Sequence, residues 1–484
     1  MPRRLLSLKS CRFLIMNSVL LCAGSSQDLS AGENEAWFRR DSGIAPAGAV
    51  LPVEFGEGED RLWRTELPPG ISSPCLCGDS IYVTTYTADT KELATVALDR
   101  ASGKVRWKQV APAKTLEAFH AVGSPASSTP ACNGSQVFSF FGSYGLLCYD
   151  LDGKLLWERP MGPFQDEFGA SSSPVLFDGK VFLNEDHDIN SFLIALDQKT
   201  GEVAWKAERT EATRSYATPV VFDNHGRTEL LVAGSLQLAA YDPKDGQKLW
   251  WYDGLSRLVD STPLIVNGEI YFATWTPGGD ADDRIRMEPF ATALTTLDKN
   301  SDKEIGKDEL PEGNAILERF FRIDLNQNQR LDQKEWEKHA MVFERAQNVA
   351  ASLRPGTRGE LPAENVNWTY QRSLPTVPSS VVYDGILYMV KDSGIITSLD
   401  ANTGEMLKQG RAVGRGNYYA SIVAGDGKIY LVSEGGVVTI LKAGRDWSVL
   451  GSFDFKERIM ATPVIADGQM LIRTDVALYA FRCK

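Results

Sequence analysis

The stretch Leu196-Asp197-Gln198-Lys199-Thr200-Gly201-Glu202-Val203-Ala204-Trp205 decides the fold, because it is one of a series. A strand ends in Asp, a turn carries Gly, and a second strand carries Trp. The same phrase reads Leu98-Asp99…Gly103…Trp107, Tyr149-Asp150…Gly153…Trp157 and Tyr241-Asp242…Gly246…Trp250. A companion phrase opens each unit: Ser or Thr, then Pro, a short apolar run, a turn, and a Val or Ile beside an aromatic residue. Its prolines are Pro74, Pro130, Pro174, Pro219, Pro263 and Pro463, and the spacings of 44, 45 and 44 from Pro130 to Pro263 set the period. Two units lack the proline. One starts at Ser380 and runs through Tyr388 to Leu399-Asp400…Gly404; the other starts at Ser421 and ends near Trp447. Each unit has room for four short strands, the size of a propeller blade.

The last unit stops at Ala480-Phe481-Arg482-Cys483-Lys484 without its Trp strand, and an orphan strand of that kind, Arg61-Leu62-Trp63-Arg64, precedes the first unit. Pairing the two completes the eighth blade and removes open strand edges, whereas a linear solenoid would need capping repeats at both ends. The expected fold is therefore all-β: an eight-bladed β-propeller closed by an N-terminal strand. Trp63, Trp107, Trp157, Trp205, Trp250 and Trp368 are read as packing between blades, where each buries roughly 150–250 Å². Cys148 stands where other units have Ala97, Ala195 and Ala240, and reads as a small core residue.

Between Pro263 and Ser380 the period fails, and roughly 73 extra residues remain once one repeat is subtracted. They hold two loops with calcium-ligand spacing. The first is Asp298-Lys-Asn300-Ser-Asp302-Lys303-Glu304-Ile305-Gly306-Lys-Asp-Glu309; the second is Asp324-Leu-Asn326-Gln-Asn328-Gln329-Arg330-Leu331-Asp332-Gln-Lys-Glu335. A hard cation such as calcium takes six to eight oxygen ligands, and an EF-hand supplies them from loop positions 1, 3, 5, 7, 9 and 12. The candidate metal ligands are Asp298, Asn300, Asp302, the Glu304 carbonyl and Glu309 in loop one. In loop two they are Asp324, Asn326, Asn328, the Arg330 carbonyl and Glu335, and two calcium ions are expected. Ile305 and Leu331 at position 8 would join the loops by a short strand contact. Residues at helical spacing flank them: Phe290, Leu294 and Leu297, then Ile316, Leu317, Phe320 and Phe321, then Trp336, His339, Ala340 and Phe343. Pro311 and Gly313 would cut short the helix between the loops. Position 6, which turns through positive φ and favours Gly, holds Lys303 and Gln329, a departure that weakens binding.

The chain has 484 residues, 63 acidic against 51 basic, so a nucleic-acid surface is not expected. Arg3, Arg4, Lys9 and Arg12 followed by the apolar run Phe13–Ala23 read as a secretory signal, too short to span a membrane comfortably. Cys22 would suit a lipid anchor, but Leu21 before it does not. The expected layout is a signal peptide at 1–31, blades one to five at 32–276, an EF-hand pair at 277–348, and the end of blade five to blade eight at 349–484. Cysteines 75, 77, 132, 148 and 483 imply no dense disulfide framework. The cluster Asn184-Glu185-Asp186-His187-Asp188 could face the mouth of the propeller; the plainer reading is a solvated acidic hairpin.

Repeats of this form resemble the pyrroloquinoline-quinone (PQQ) enzyme-like propellers, which include the quinoprotein dehydrogenases and the outer-membrane assembly propeller BamB. The resemblance covers roughly 36–276 and 350–484, and Phe141-Gly142-Ser143-Tyr144-Gly145 and Phe168-Gly169-Ala170-Ser-Ser-Ser-Pro174 are similar to a bacterial branch of that family. It implies a fold more firmly than an activity. The dehydrogenases hold PQQ against a disulfide of adjacent cysteines, which this chain lacks, since Leu76 separates Cys75 from Cys77. PQQ is accordingly not expected. The expected protein is a periplasmic or secreted, monomeric, calcium-binding propeller that serves as a non-catalytic binding or assembly platform for an envelope protein or polysaccharide. The alternative is a PQQ- or metal-dependent oxidoreductase using the central funnel.

Overall fold

The computed structural model describes residues 35–483 except 57, 59, 281, 283–285 and 467. The expected signal, with Cys11 and Cys22, lies outside the described residues. Eight antiparallel sheets form the blades of the expected propeller. Blade three is typical: Val175–Phe177 is innermost, followed by Lys180–Glu185, Phe192–Asp197 and Val203–Glu208 at the rim. The two middle strands are buried almost throughout because blades cover both faces, so Val181-Phe182-Leu183 and Leu193-Ile194-Ala195-Leu196 are unbroken apolar runs. The rim strand is exposed except at Trp205. As expected, Arg61–Glu66 pairs antiparallel with Ala477–Arg482, Trp63 opposite Ala480, and completes blade eight.

The recurring Asp…Gly…Trp phrase is a docking device. Each rim indole N–H donates to a carbonyl in the next blade's turn: Trp63 to Arg100 at 3.0 Å, Trp107 to Leu151 at 2.8 Å, Trp157 to Gln198 at 2.9 Å, Trp205 to Pro243 at 3.1 Å and Trp368 to Ala401 at 2.8 Å. The turn glycine lies flat under the ring. At Gly153, φ is +87° and a Cβ would stand 2.7 Å from the Trp107 ring, so both conformation and space exclude a side chain.

Trp250 departs from the pattern. Its N–H donates to Glu229 Oε2 at 2.7 Å. Blade five has no tight turn to offer, because residues 354–365 form a long loop between its strands Val349–Leu353 and Val366–Tyr370. That loop returns Gly359–Glu360 in parallel onto Trp250–Trp251 and adds a fifth strand to blade four. Gly359 therefore belongs to the neighbouring blade's edge, not to the resumption of blade five.

Three features lie beyond the repeat. A Cys77–Cys132 disulfide joins the innermost strands of blades one and two, with Cα atoms 6.2 Å apart, while Cys75, Cys148 and Cys483 are free and buried. A strap, residues 35–46, pairs with the inner strand of blade two, crosses the central channel and meets blade seven through Ile44 and Ala424. Arg39 pins the crossing, donating to Ile422 O at 3.0 Å and Ser380 O at 2.7 Å. Residues 275–348 leave blade five between Glu269–Thr274 and Val349–Leu353. Among the described residues no helix is long and apolar enough to cross a membrane.

Candidate functional site: a hydroxyl-ringed channel and two paired loops

The Ser or Thr that precedes the proline of each unit, or stands at the same place in the two units without one, has a structural purpose. Ser73, Thr129, Ser173, Thr218, Thr262, Ser379, Ser421 and Thr462, one from every blade, ring the channel. Six links of the ring are hydrogen bonds from a backbone N–H to the next blade's hydroxyl. They run Ser73 to Thr129, Thr129 to Ser173, Ser173 to Thr218, Thr262 to Ser379, Ser379 to Ser421 and Ser421 to Thr462, at 2.9–3.1 Å. Two residues earlier in each blade lies a second ring of mixed chemistry: Ile71, Ser127, Ser171, Tyr216, Asp260, Val377, Tyr419 and Met460. Phe38 of the strap closes in from below. The regular ring fixes the bore, and the varied ring sets what it meets.

The mouth above the rings is acidic and tightly paired. The cluster at 184–188 is buried, contrary to the solvated hairpin. Asp186 takes Arg209 in a two-point ion pair at 2.7 and 2.9 Å, and Asp188 takes Arg214 through both oxygens, one contact at 2.9 Å. Arg214 also reaches Glu167 at 2.7 Å. These partners lie more than 20 residues away, which is why the sequence read the cluster as unpaired. Three acids remain outside this pairing. Burial, with the Asp166 charge, pushes Glu117 up to about 8; burial pushes Asp166 up to about 6 despite the Tyr216 hydroxyl it accepts from. Burial, with Glu117 beside it, holds Glu185 well above the ordinary carboxylate range. Buried atoms with no hydrogen-bond partner gather here: Glu117 Oε1, Glu185 Oε1 and both amide atoms of Asn184.

The two loops pair as their position 8 residues required, Ile305 opposite Leu331 and Gly306 opposite Arg330. Inside each loop the acceptors repeat at the same positions. Asp298 accepts from Ser301 and Lys303 N–H at 2.7 and 3.0 Å; Asp324 accepts from Asn328 and Gln329 N–H at 3.0 and 2.9 Å. Asn300 and Asn326 accept from the N–H two residues on, as do Asp302, from Glu304, and Asn328, from Arg330. Glu309 and Glu335 reach back to the N–H groups of Asn300 and Asn326, each at 3.1 Å. Lys303 and Gln329 take the positive φ of position 6, +70° and +67°, despite their side chains. One contact was not foreseen: the Arg330 guanidinium of loop two pairs with the Asp302 carboxylate of loop one. Among the described residues no three His, Cys, Asp or Glu side chains converge as a metal cluster; the loops would rely on amide and carbonyl oxygens for the rest of a shell.

The helix α1 (Phe290–Leu297), the short α2 (Phe320–Ile323) and α3 (Gln333–Arg345) enclose their own core around Phe290, Ile305, Phe320, Leu331 and Trp336. The other face of α3 leans on the propeller, with Val342 and Ala346 on Leu236 of blade four. Arg322 pairs with Glu167, Gln165 donates to Leu325 O, and Lys338 donates to the carbonyls of Thr210 and Ala212. The insert lies across the mouth side of blades three and four.

Comparison with known proteins follows the same lines. A family described as "Outer membrane protein assembly factor BamB" matches residues 91–277. The outer membrane protein assembly factor BamB of Yersinia pestis is 24% identical over 322 residues, 61% of this chain and 72% of that one. A polyvinylalcohol dehydrogenase of Pseudomonas sp is 29% identical over 188 residues, 35% of this chain but only 27% of that enzyme. Among solved structures, BamB from Moraxella catarrhalis has a TM-score of 0.54 at 12% identity, covering 87% of this chain and 99% of that one. A europium-containing methanol dehydrogenase has a TM-score of 0.51 at 11% identity, covering 87% and 93%. These two structural likenesses show the fold alone.

Proposed function

Since the chain is an eight-bladed β-propeller of PQQ-like repeats, we propose that it works outside the cytoplasm as a binding or assembly platform, with calcium ordering its insert. The observation that carries the platform reading is the mouth itself. Asp186 and Asp188, two of the acids of the cluster at 184–188, are committed to Arg209 and Arg214 and hold loops in place. The similarity to an assembly factor runs along most of that relative, while the similarity to a dehydrogenase touches a quarter of it. The Cys77–Cys132 bond suits an oxidising compartment, as does the leader expected at 1–31. An envelope protein or a polysaccharide is the proposed partner. Capture from the native envelope fraction by the purified chain tests this, and recovery of nothing beyond a charge-matched control protein overturns it.

Calcium is proposed from the loops. Glu309, Asp324 and Glu335 are buried carboxylates that accept from main-chain N–H donors, a hard oxygen set of the type calcium takes. Asp298, Asn300, Asp302, Glu304 O and Glu309 would hold one ion; Asp324, Asn326, Asn328, Arg330 O and Glu335 would hold the other. With extracellular-type affinity near 10⁻⁴ M and millimolar calcium, the gain is roughly 1.4 kcal/mol, enough to order an insert but small for a propeller. Calorimetric titration of the wild type should give two binding events, one lost in Glu309→Gln and the other in Glu335→Gln; no binding heat in the wild type sinks the proposal.

A second reading, an oxidoreductase acting in the channel, is favoured by the unpartnered buried atoms of Asn184, Glu117 and Glu185. PQQ fits poorly: Cys77 is bonded to Cys132 in the next blade, and Cys75 is buried alone. Dye reduction after adding PQQ with alcohols or sugars would favour this reading over the platform.

A further inference from the structure

Between the insert and the propeller lies a partly open cavity, separate from the channel, with Glu335 of loop two in its wall. Its polar lining is mainly cationic: Arg214 and Arg257 from the propeller, Arg322 and Lys338 from the insert. Arg214 and Arg322 share Glu167, and Asp188 answers Arg214. Arg257 has no such answer. Its Nε donates to the Pro277 carbonyl at 3.0 Å, its guanidinium lies 5.6 Å over the Phe343 ring, and it forms no ion pair with a described residue. Among the described residues, Lys338 is likewise held by the carbonyls of Thr210 and Ala212 and by no carboxylate. Burial, together with the Arg322 and Arg214 charges, lowers Arg257 to about 10. The His339 ring also lines the cavity, and its Nε2 atom is buried without a partner. Of the acids in the wall, Asp188 is taken by Arg214, and Glu335 accepts from the main-chain N–H groups of Asn326 and Asp332.

Arg257 and Lys338 are half-buried and Arg214 is buried, and cations withdrawn from water around one cavity are costly unless an anion sits among them. We propose that this cavity binds one small oxyanion, of the phosphate, sulfate or carboxylate class, held by Arg257 and Lys338 with His339 as a further donor. Oxyanions take charge-assisted hydrogen bonds from guanidinium and ammonium groups, and the forked Arg donor suits them best. The site is built from both parts of the molecule, so its occupant would clamp the insert to blades three and four. None of the four cations contributes a side chain to either loop, while Glu335 belongs both to the cavity wall and to the oxygen set proposed for loop two.

Inorganic phosphate, sulfate and acetate are titrated separately into the full chain by calorimetry, with ionic strength held constant by sodium chloride. At least one should saturate a single site, and Arg257→Met and Lys338→Met should each weaken it about tenfold, the loss of one charge-assisted hydrogen bond. Arg415→Met, on an exposed loop elsewhere, should bind like the wild type. Amide exchange along Gln333–Arg345 should slow when the anion is bound. Absence of saturable binding by all three anions in the wild type overturns the proposal. Equal binding in wild type and both cavity variants also overturns it, since any association is then non-specific. If Arg257→Met does not fold, Lys338→Met decides alone.

Discussion

Trp107 shows how much one side chain carries. It fills the seam between blades one and two and fastens it with one hydrogen bond to Leu151 O. Trp107→Ala should cost about 3–5 kcal/mol in urea unfolding while the far-ultraviolet spectrum is kept. A loss below about 1 kcal/mol would mean the seam does not need it. Arg330 acts in the opposite direction on calcium: its guanidinium occupies the Asp302 carboxylate that loop one would offer an ion. Arg330→Gln should tighten loop one by a few-fold in calorimetry, the worth of an exposed ion pair; weaker binding would show that the arginine helps the site. Glu117 carries a pH signature. Its pKa in the fold is about 8 against an ordinary 4.5, so folding favours the neutral acid. That contribution is full below about pH 4.5 and is lost as pH rises through about 8. Glu117→Gln should therefore gain on the wild type across that window, on the order of 5 kcal/mol at its upper end, read as melting temperature against pH. Curves that stay parallel would place the titration elsewhere. The tryptophans were legible because a recurring large residue has to pack somewhere. Glu117 was not, since nothing local marks an acid whose burial depends on Ala170 and Asp166 of another loop.

At the scale of elements, the insert divides into a legible half and an illegible one. The position 8 pairing and the short helix before loop two were readable, because each is a local rule of loop and helix geometry. Where the insert rests was not readable, because Val342 meets Leu236 and Arg322 meets Glu167 across more than a hundred residues. Val342→Asp should put a charge into that contact and loosen the insert. Limited proteolysis should then cut within 275–348 faster than in the wild type, while the melting temperature of the propeller changes little. Unchanged cleavage would mean that the polar contacts of Lys338 and Arg345 suffice to hold it. The hydroxyl ring was half legible in the same sense. The Ser/Thr-Pro phrase announced a repeated position, but only the sheet geometry shows each N–H reaching into the next blade.

The whole molecule is a closed ring with extra stitches. The period and the orphan Arg61–Glu66 strand foretold the closure; the strap was hidden, because 35–46 has neither strand alternation nor helical spacing. The Cys77–Cys132 bond adds a covalent stitch between the first two blades. Cys77→Ser should cost about 2–4 kcal/mol under oxidising conditions, measured by denaturant unfolding, and should abolish the wild type's sensitivity to reductant. Equal stability of the two proteins without reductant would show that the bond adds nothing. The ring also has a consequence in time. Arg39 holds Ile422 O, 383 residues downstream, and Arg64 holds the Tyr479 hydroxyl, 415 residues downstream. At a synthesis rate of about 5–20 residues per second, those partners emerge roughly 20–80 s after the segments that need them. Through that interval the Arg61–Glu66 strand of the nascent chain stays an open edge, so the last blade made decides whether that strand ever finds its place.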